Sequence, residues 1–231
     1  MTSLNNTLSH ISDDICDAEA TLVVTAGTSM YGLTELGGLV AEGSVVVTGP
    51  GAIGLLGVAV AKTLGAKPVI LTGTRDNRLE IGTRLGTDHV INVRNEDAVA
   101  KIKEHTDDIG ADFVLECSGA SNALNEAGQM VNRGGKICLA AFPHKDVRVD
   151  VMHLVANKFY VFGIREEGKS GAHRAAALME QKRFDVTLIH THTSYTSDLP
   201  EAMRYAKDRV EDAIKVVVTN KFAYAKDIAA E

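Results

Sequence analysis

Six residues carry the clearest chemistry in this 231-residue chain: Gly49-Pro50-Gly51-Ala52-Ile53-Gly54, a Gly-x-Gly-x-x-Gly run. Each glycine has a physical task if the run joins a strand to a helix. Gly49 makes the tight turn, Gly51 lets a pyrophosphate approach the backbone, and Gly54 lets the helix pack closely on a sheet. The first free N–H groups of that helix, at Ala52, Ile53 and Gly54, then face the phosphates, and its dipole favours their charge. The flanks meet the condition. Val45-Val46-Val47 leads in, and a helical pattern runs on to Ala66. A glycine-rich turn without ligand is the competing reading, and the strand and helix around the run count against it.

The second chemical position lies where the next strand ends. A dinucleotide fold that prefers NAD carries an acidic residue there, about 20 residues beyond the glycine turn, for the ribose hydroxyls. This chain has Gly73, followed by Thr74-Arg75-Asp76-Asn77-Arg78. A 2′-phosphate would meet no repulsion at Gly73, and Thr74, Arg75 and Arg78 have the groups to bind it. This favours NADP(H), with NAD(H) as the second cofactor. The alternative is that Asp76 bends back to the ribose and Arg75 is a solvated charge.

Other reactive side chains weigh less. His190 and His192 alternate on a strand pattern and so share a face, but no acidic or Cys ligand stands near them in sequence. Surface or packing histidines are the better reading. Cys16, Cys117 and Cys138 are scattered, which excludes a disulfide framework and a Cys-x-x-Cys zinc lobe. They read as small apolar core groups. Glu166-Glu167-Gly168-Lys169-Ser170 resembles half of a phosphate loop with the wrong glycine spacing, and reads as a solvent turn. A net charge of −6 argues against general nucleic-acid binding. No apolar run reaches the length of a membrane span, and the first residues lack a signal-peptide pattern. The expected location is the cytoplasm.

The elements that must position these residues alternate regularly. Strands are predicted at 45–48, 68–72, 89–91, 113–117, 136–140 and 159–163, and helices at 52–65, 76–86, 96–105, 121–132 and 171–181. This pattern predicts an α/β fold: a Rossmann-type, doubly wound parallel sheet of about six strands, with its ligand across the carboxyl ends of the strands. Short lead-in helices occupy 1–40, the dinucleotide-binding domain 41–184, and a small C-terminal appendage 185–231. Within the appendage, a strand over 187–193, a helix from a Ser197-Asp198-Leu199-Pro200 start and a strand over 213–218 are expected.

At this point the chain resembles the medium-chain dehydrogenase/reductase family, the group of zinc-type alcohol, sorbitol and threonine dehydrogenases. The resemblance rests on 45–54, Leu64-Gly65-Ala66, Leu85-Gly86-Thr87-Asp88-His89-Val90-Ile91, and Gly110-Ala111-Asp112-Phe113-Val114-Leu115-Glu116-Cys117-Ser118-Gly119. Gly134-Gly135-Lys136-Ile137 and Asp212-Ala213-Ile214-Lys215-Val216-Val217 extend it, so that it covers about 12–220. Gly73-Thr74-Arg75 is similar to the Gly-Ser-Arg of NADP-dependent members. The resemblance implies that Cys117 and Ser118 lie beside the adenosine ribose. It puts Ala140, Ala141 and Phe142 at the nicotinamide, with backbone groups of Val161 and Phe162 at its carboxamide. It also makes Ser29 and Tyr31 candidates for a proton relay, although helix packing explains them equally well. Subunits would pair into a homo-oligomer through the sheet edge.

The departures from the family are equally informative. The resemblance implies that the chain begins after the β-rich catalytic domain of full-length members, which supplies zinc ligands and most of the substrate pocket. The place of the last catalytic zinc ligand falls near Thr25, and Thr is not a normal zinc ligand. Zinc is therefore not expected on this chain. The leading expectation is an NADP(H)-preferring alcohol or polyol dehydrogenase, present as its cofactor-binding portion and acting on a small alcohol or carbonyl. The alternative is a non-catalytic nucleotide-binding module that assembles with a separate catalytic chain.

Overall fold

The computed structural model describes residues 10–34, 38, 39, 41–143, 145–166, 168 and 170–220. The lead-in region forms α1 (Asp17–Ala20) and α2 (Val23–Thr34). Strand and helix then alternate as β1 (Val45–Thr48), α3 (Ala52–Thr63), β2 (Val69–Gly73), α4 (Asp76–Arg84), β3 (His89–Asn92), α5 (Ala98–Glu104), β4 (Ala111–Glu116), α6 (Ala123–Met130), β5 (Val131–Leu139), α7 (Val151–Asn157), β6 (Tyr160–Gly163) and α8 (Gly171–Glu180). The chain continues through β7 (His190–Tyr195), α9 (Leu199–Asp208) and β8 (Lys215–Thr219).

The six-stranded sheet is parallel throughout, in the order β3-β2-β1-β4-β5-β6. The chain reverses its direction of growth between β1 and β4, and a crevice opens at the carboxyl ends of strands at such a switch point. The period-two alternation of a strand divides the core between the two faces. Val45 and Val47 join one apolar cluster, with residues of α2, α3 and α8. Val46, Ile70, Ile91, Val114 and Ile137 form the other, with residues of α5 and α6. β1 is buried along its whole length, which explains why it reads as an uninterrupted β-branched run.

Several boundaries differ from the sequence expectation. β5 starts at Val131 rather than 136, pairing with Ala111 before the register shifts to Phe113–Lys136. The helix α7 was not anticipated. Asp150 caps it, accepting from His153 N at 2.9 Å, and it supplies the crossover between parallel β5 and β6. The strand expected over 187–193 begins only at His190. Asp185 accepts from Thr187 N and turns Val186–Leu188 into a 3₁₀ turn first. Likewise Val210–Asp212 is a 3₁₀ turn, so β8 begins at Lys215. β7 and β8 pair in parallel as a separate two-stranded sheet.

The tightest contact in the fold lies at the glycine turn. Gly49 has φ +86°, and a Cβ there would lie 2.9 Å from Ser118 N and Cα. A Cβ at Gly54 would lie 2.1 Å from the Gly49 carbonyl oxygen. At Gly51 a Cβ would meet nothing within 4 Å. The expected outcome is a split in thermal unfolding. Gly54→Ala costs ~1–3 kcal/mol or more through overpacking, whereas Gly51→Ala leaves the melting temperature close to wild type. Equal melting temperatures for the two variants would contradict this packing account.

Candidate nucleotide-binding site

A cavity of about 610 Å³ opens where β1, β2 and β4 end. The sequence placed Gly49, Gly51, Gly73, Thr74, Arg75, Arg78, Cys117 and Ser118 at a nucleotide, and all eight line this cavity. Ala52, Ile53 and Gly54 form the first turn of α3 at its edge. Gly51 is the N-cap of α3 and has no side chain to satisfy the turn, so the helix presents its leading N–H groups without a protein cap. Because the space beyond Gly51 is open, packing does not account for a glycine there. That open space leaves room for a ligand to approach the backbone.

Two features of the ribose end were not legible in the sequence. The first is Gly73, where a Cβ would lie 2.6 Å from Cγ and Cδ of Pro50. The proline of the glycine turn thus occupies the place that an acidic side chain at the strand end would need. The second is Arg209, which reaches the cavity from the turn after α9. No local sequence pattern distinguishes Arg209 from a surface charge, because only the tertiary fold brings it to β2.

Three arginines, Arg75, Arg78 and Arg209, line the cavity together with Glu96, Asp97 and Glu126. Arg78 is buried, and its Nη2 donates to the carbonyls of Ala213 at 2.8 Å and Asp212 at 3.3 Å. Its pKa is pushed down to about 10 by burial first, then by the charges of Arg75 and Arg209, with Asp212 opposing. Arg75 Nη1 lies 4.0 Å from Asp212 Oδ1. Arg75 Nη1 and Arg78 Nε are buried with no hydrogen-bond partner among the described residues. Buried guanidinium N–H groups without acceptors are costly, and an anion in the cavity would relieve them. Asp76 is engaged elsewhere, accepting from Asn92 Nδ2 at 2.6 Å, and does not line the cavity.

On the other side of the switch point, the Glu116 carboxylate closes the end of β4. It is buried and accepts from the backbone N–H groups of Ser118 and Gly119, from the Ser118 hydroxyl and from Thr48 Oγ1. Glu116 therefore fixes the turn that carries Cys117 and Ser118 into the cavity wall. Burial, followed by the Glu116 charge and Cys138, raises the Cys117 thiol well above its ordinary pKa. Burial and Glu116 push Cys138 up to about 12. Both thiols are held protonated, which suits packing rather than nucleophilic chemistry. Cys16, by contrast, is exposed and is not a core group.

The remaining candidates lie elsewhere. Ala140, Phe142 and Val161 do not line the cavity, although a Cβ at Gly119 would lie 2.9 Å from the Phe142 carbonyl oxygen, which places the loop after β5 against the loop after β4. Ser29 is fully buried and donates to the Ile53 carbonyl at 2.8 Å, pinning α2 to the start of α3. Tyr31 packs its ring under Gly168; Glu167 and Lys169 of the same turn lie outside the described residues. Thr25 sits on α2. His190 and His192 are both half-buried while Thr191 and Thr193 are exposed, so the alternation holds along β7 although its pairing register shifts between them. His192 Nε2 lies 3.6 Å from Glu211, and His190 pairs with Thr193. Among the described residues no group of three His, Cys, Asp or Glu side chains is placed to hold a metal ion. Among them, too, no helix is long and apolar enough to cross a membrane.

With the fold and cavity established, comparison with known proteins adds a family. The zinc-binding dehydrogenase family model matches residues 52–181, more than half of the chain. An L-threonine 3-dehydrogenase of Pyrococcus abyssi is 41% identical over 132 residues, covering 57% of this chain and 38% of the relative. A sorbitol dehydrogenase of Bacillus subtilis is 35% identical over 122 residues, covering 52% of this chain and 35% of the relative. Among solved structures, an alcohol dehydrogenase of Thermotoga maritima superimposes with a TM-score of 0.83 at 28% identity, covering 91% of this chain and 59% of that one. The chain thus spans less than two thirds of the length of these relatives. By the family match over 52–181, the chain belongs to the zinc-binding dehydrogenase family.

Proposed function

We propose that this chain is the cofactor-holding portion of a medium-chain alcohol or polyol dehydrogenase that prefers NADP(H). The carrying observation is the cavity itself. Its lining runs from open space at Gly51 to Arg75 and Arg78, whose Nη1 and Nε lack hydrogen-bond partners among the described residues, while Arg75 Nη1 faces Asp212 at 4.0 Å. This spacing of an exposed backbone turn and a cationic end suits a dinucleotide with an extra phosphate. When bound, the nicotinamide would supply the hydride chemistry that interconverts an alcohol and a carbonyl.

The chain's own residues have separable jobs in this reading. Gly49, Gly51 and the first turn of α3 at Ala52, Ile53 and Gly54 receive the pyrophosphate. Gly73 leaves the ribose end without a carboxylate, and Thr74 and Arg75 take the 2′-phosphate. Arg78 adds charge while bracing the turn at Asp212 and Ala213. Cys117 and Ser118 flank the adenosine ribose. Ala140, Phe142 and Val161 serve the nicotinamide end, where Phe142 is 71% exposed and free to meet a ligand or substrate. The alternative role for Asp76 as ribose ligand loses support from its hydrogen bond to Asn92. The dehydrogenase names of the relatives support a small hydroxylated substrate.

A second reading, a non-catalytic nucleotide-binding module, is favoured by one observation. Both proton-relay candidates are committed to packing, Ser29 through its bond to Ile53 and Tyr31 under Gly168.

We also propose that two copies pair through β6. Among the described residues this strand has one neighbour, β5, and Tyr160 on it is 64% exposed. Beside it, α7 exposes Val151, Met152 and Val155 by 62%, 83% and 72%. An apolar strand edge of this kind is a template for a second copy of itself.

Three outcomes are expected. In parallel fluorescence titrations NADPH binds at least roughly tenfold tighter than NADH, and Arg75→Ala removes most of that gap of ~1.4 kcal/mol; equal affinities would refute the NADP(H) preference. Turnover of an alcohol by the isolated chain supports the enzyme reading, whereas nucleotide binding without turnover over a broad alcohol panel supports the module. In sedimentation analysis the chain is dimeric, and Met152→Asp combined with Val155→Asp gives a folded monomer. A wild-type chain that is monomeric at micromolar concentration rules out this interface.

A further inference from the structure

One wall of the cavity comes from outside the six-stranded sheet. Arg209 ends α9 with its backbone at φ 55° and ψ 42°, the left-handed region that few residues other than glycine occupy. Glu211 and Asp212 follow at φ 51° and 59°. A run of such conformations persists only where the surroundings hold it. Here the turn is closed by Asp212 N donating to the Arg209 carbonyl and Ala213 N to the Val210 carbonyl. It is then clamped to the sheet by Arg78, whose Nη2 donates to the carbonyls of Asp212 and Ala213. Arg75 faces the Asp212 carboxylate from 4.0 Å. Two arginines at the start of α4 therefore brace the turn that delivers a third.

Arg75, Arg78 and Arg209 line one cavity, whose lining also carries Glu96, Asp97 and Glu126, and Asp212 is the carboxylate that faces Arg75. Burial chiefly lowers the pKa of Arg78, and the charges of Arg75 and Arg209 lower it further. Arg78 is 6% exposed and its Nε has no partner. A phosphomonoester dianion would bring acceptors and negative charge to these guanidinium groups.

We propose that Arg209 is a specificity-determining residue, the third cation for the 2′-phosphate of the dinucleotide, and that this phosphate ties the C-terminal turn to the sheet. The inference rests on the NADP(H) reading above. It adds that cofactor choice is set partly from the appendage, outside the segment that carries the glycine turn.

The test titrates the full chain with NADPH, NADH and 2′,5′-ADP, in wild type, Arg75→Ala, Arg209→Asn and Arg209→Lys. Asn tolerates the left-handed backbone, so Arg209→Asn removes the guanidinium and leaves the turn in place. Arg209→Asn is expected to weaken NADPH and 2′,5′-ADP about tenfold, with NADH changed less than about twofold and Arg209→Lys recovering part of the loss. Melting curves confirm that each variant is folded. If Arg209→Asn keeps the NADPH preference while Arg75→Ala loses it, the role of Arg209 is refuted and the NADP(H) reading survives. If Arg209→Asn weakens NADPH and NADH equally, its role in discrimination is likewise refuted. If wild type binds NADPH and NADH alike and does not bind 2′,5′-ADP, both fail together.

Discussion

The contact between Gly54 and the carbonyl of Gly49 is the constraint on which the site depends. With no side chain at Gly54, the helix α3 starts directly against the end of β1. That fixes the axis of the helix and hence the direction of its leading N–H groups and dipole. Everything else at the phosphate end follows from that placement. Pro50 is carried onto Gly73, which clears the ribose end of a carboxylate. Gly49 is pressed on the backbone of Ser118, which Glu116 in turn holds by three backbone or hydroxyl donors of Ser118 and Gly119. The two sides of the switch point are thereby locked to one turn.

The ribose end obeys a different economy. Packing rather than charge determines that Gly73 is a glycine, and the charge is set by what surrounds it. Burial of Arg78 in the seam between α4 and the C-terminal turn is costly unless its donors are used. Two of its bonds go to backbone carbonyls, and its remaining Nε faces inward without a partner. A site that concentrates cations around unused donors is preorganised for an anion and destabilised without one. The same residue therefore both braces the C-terminal turn and lines the cavity.

Much of this was readable from residue patterns because the signals were local. A β-branched run, a glycine spacing and an apolar period specify β1, the turn and α3 within some twenty positions, and their boundaries match the structure closely. Arg75 and Arg78 were readable for the same reason, lying just past a strand end. Arg209 was not, since its approach depends on how α9 packs more than a hundred residues later. The helix α7 escaped because it is only seven residues long, too short a window for an apolar period to stand out.

A crystal structure of the chain with NADPH bound tests the central claim most directly. The account predicts the pyrophosphate at the first turn of α3 and the 2′-phosphate within hydrogen-bonding distance of Arg75, with Asp76 still bonded to Asn92. A nucleotide whose ribose hydroxyls are held by Asp76 with Arg75 turned to solvent, or one bound away from the glycine turn, would contradict it.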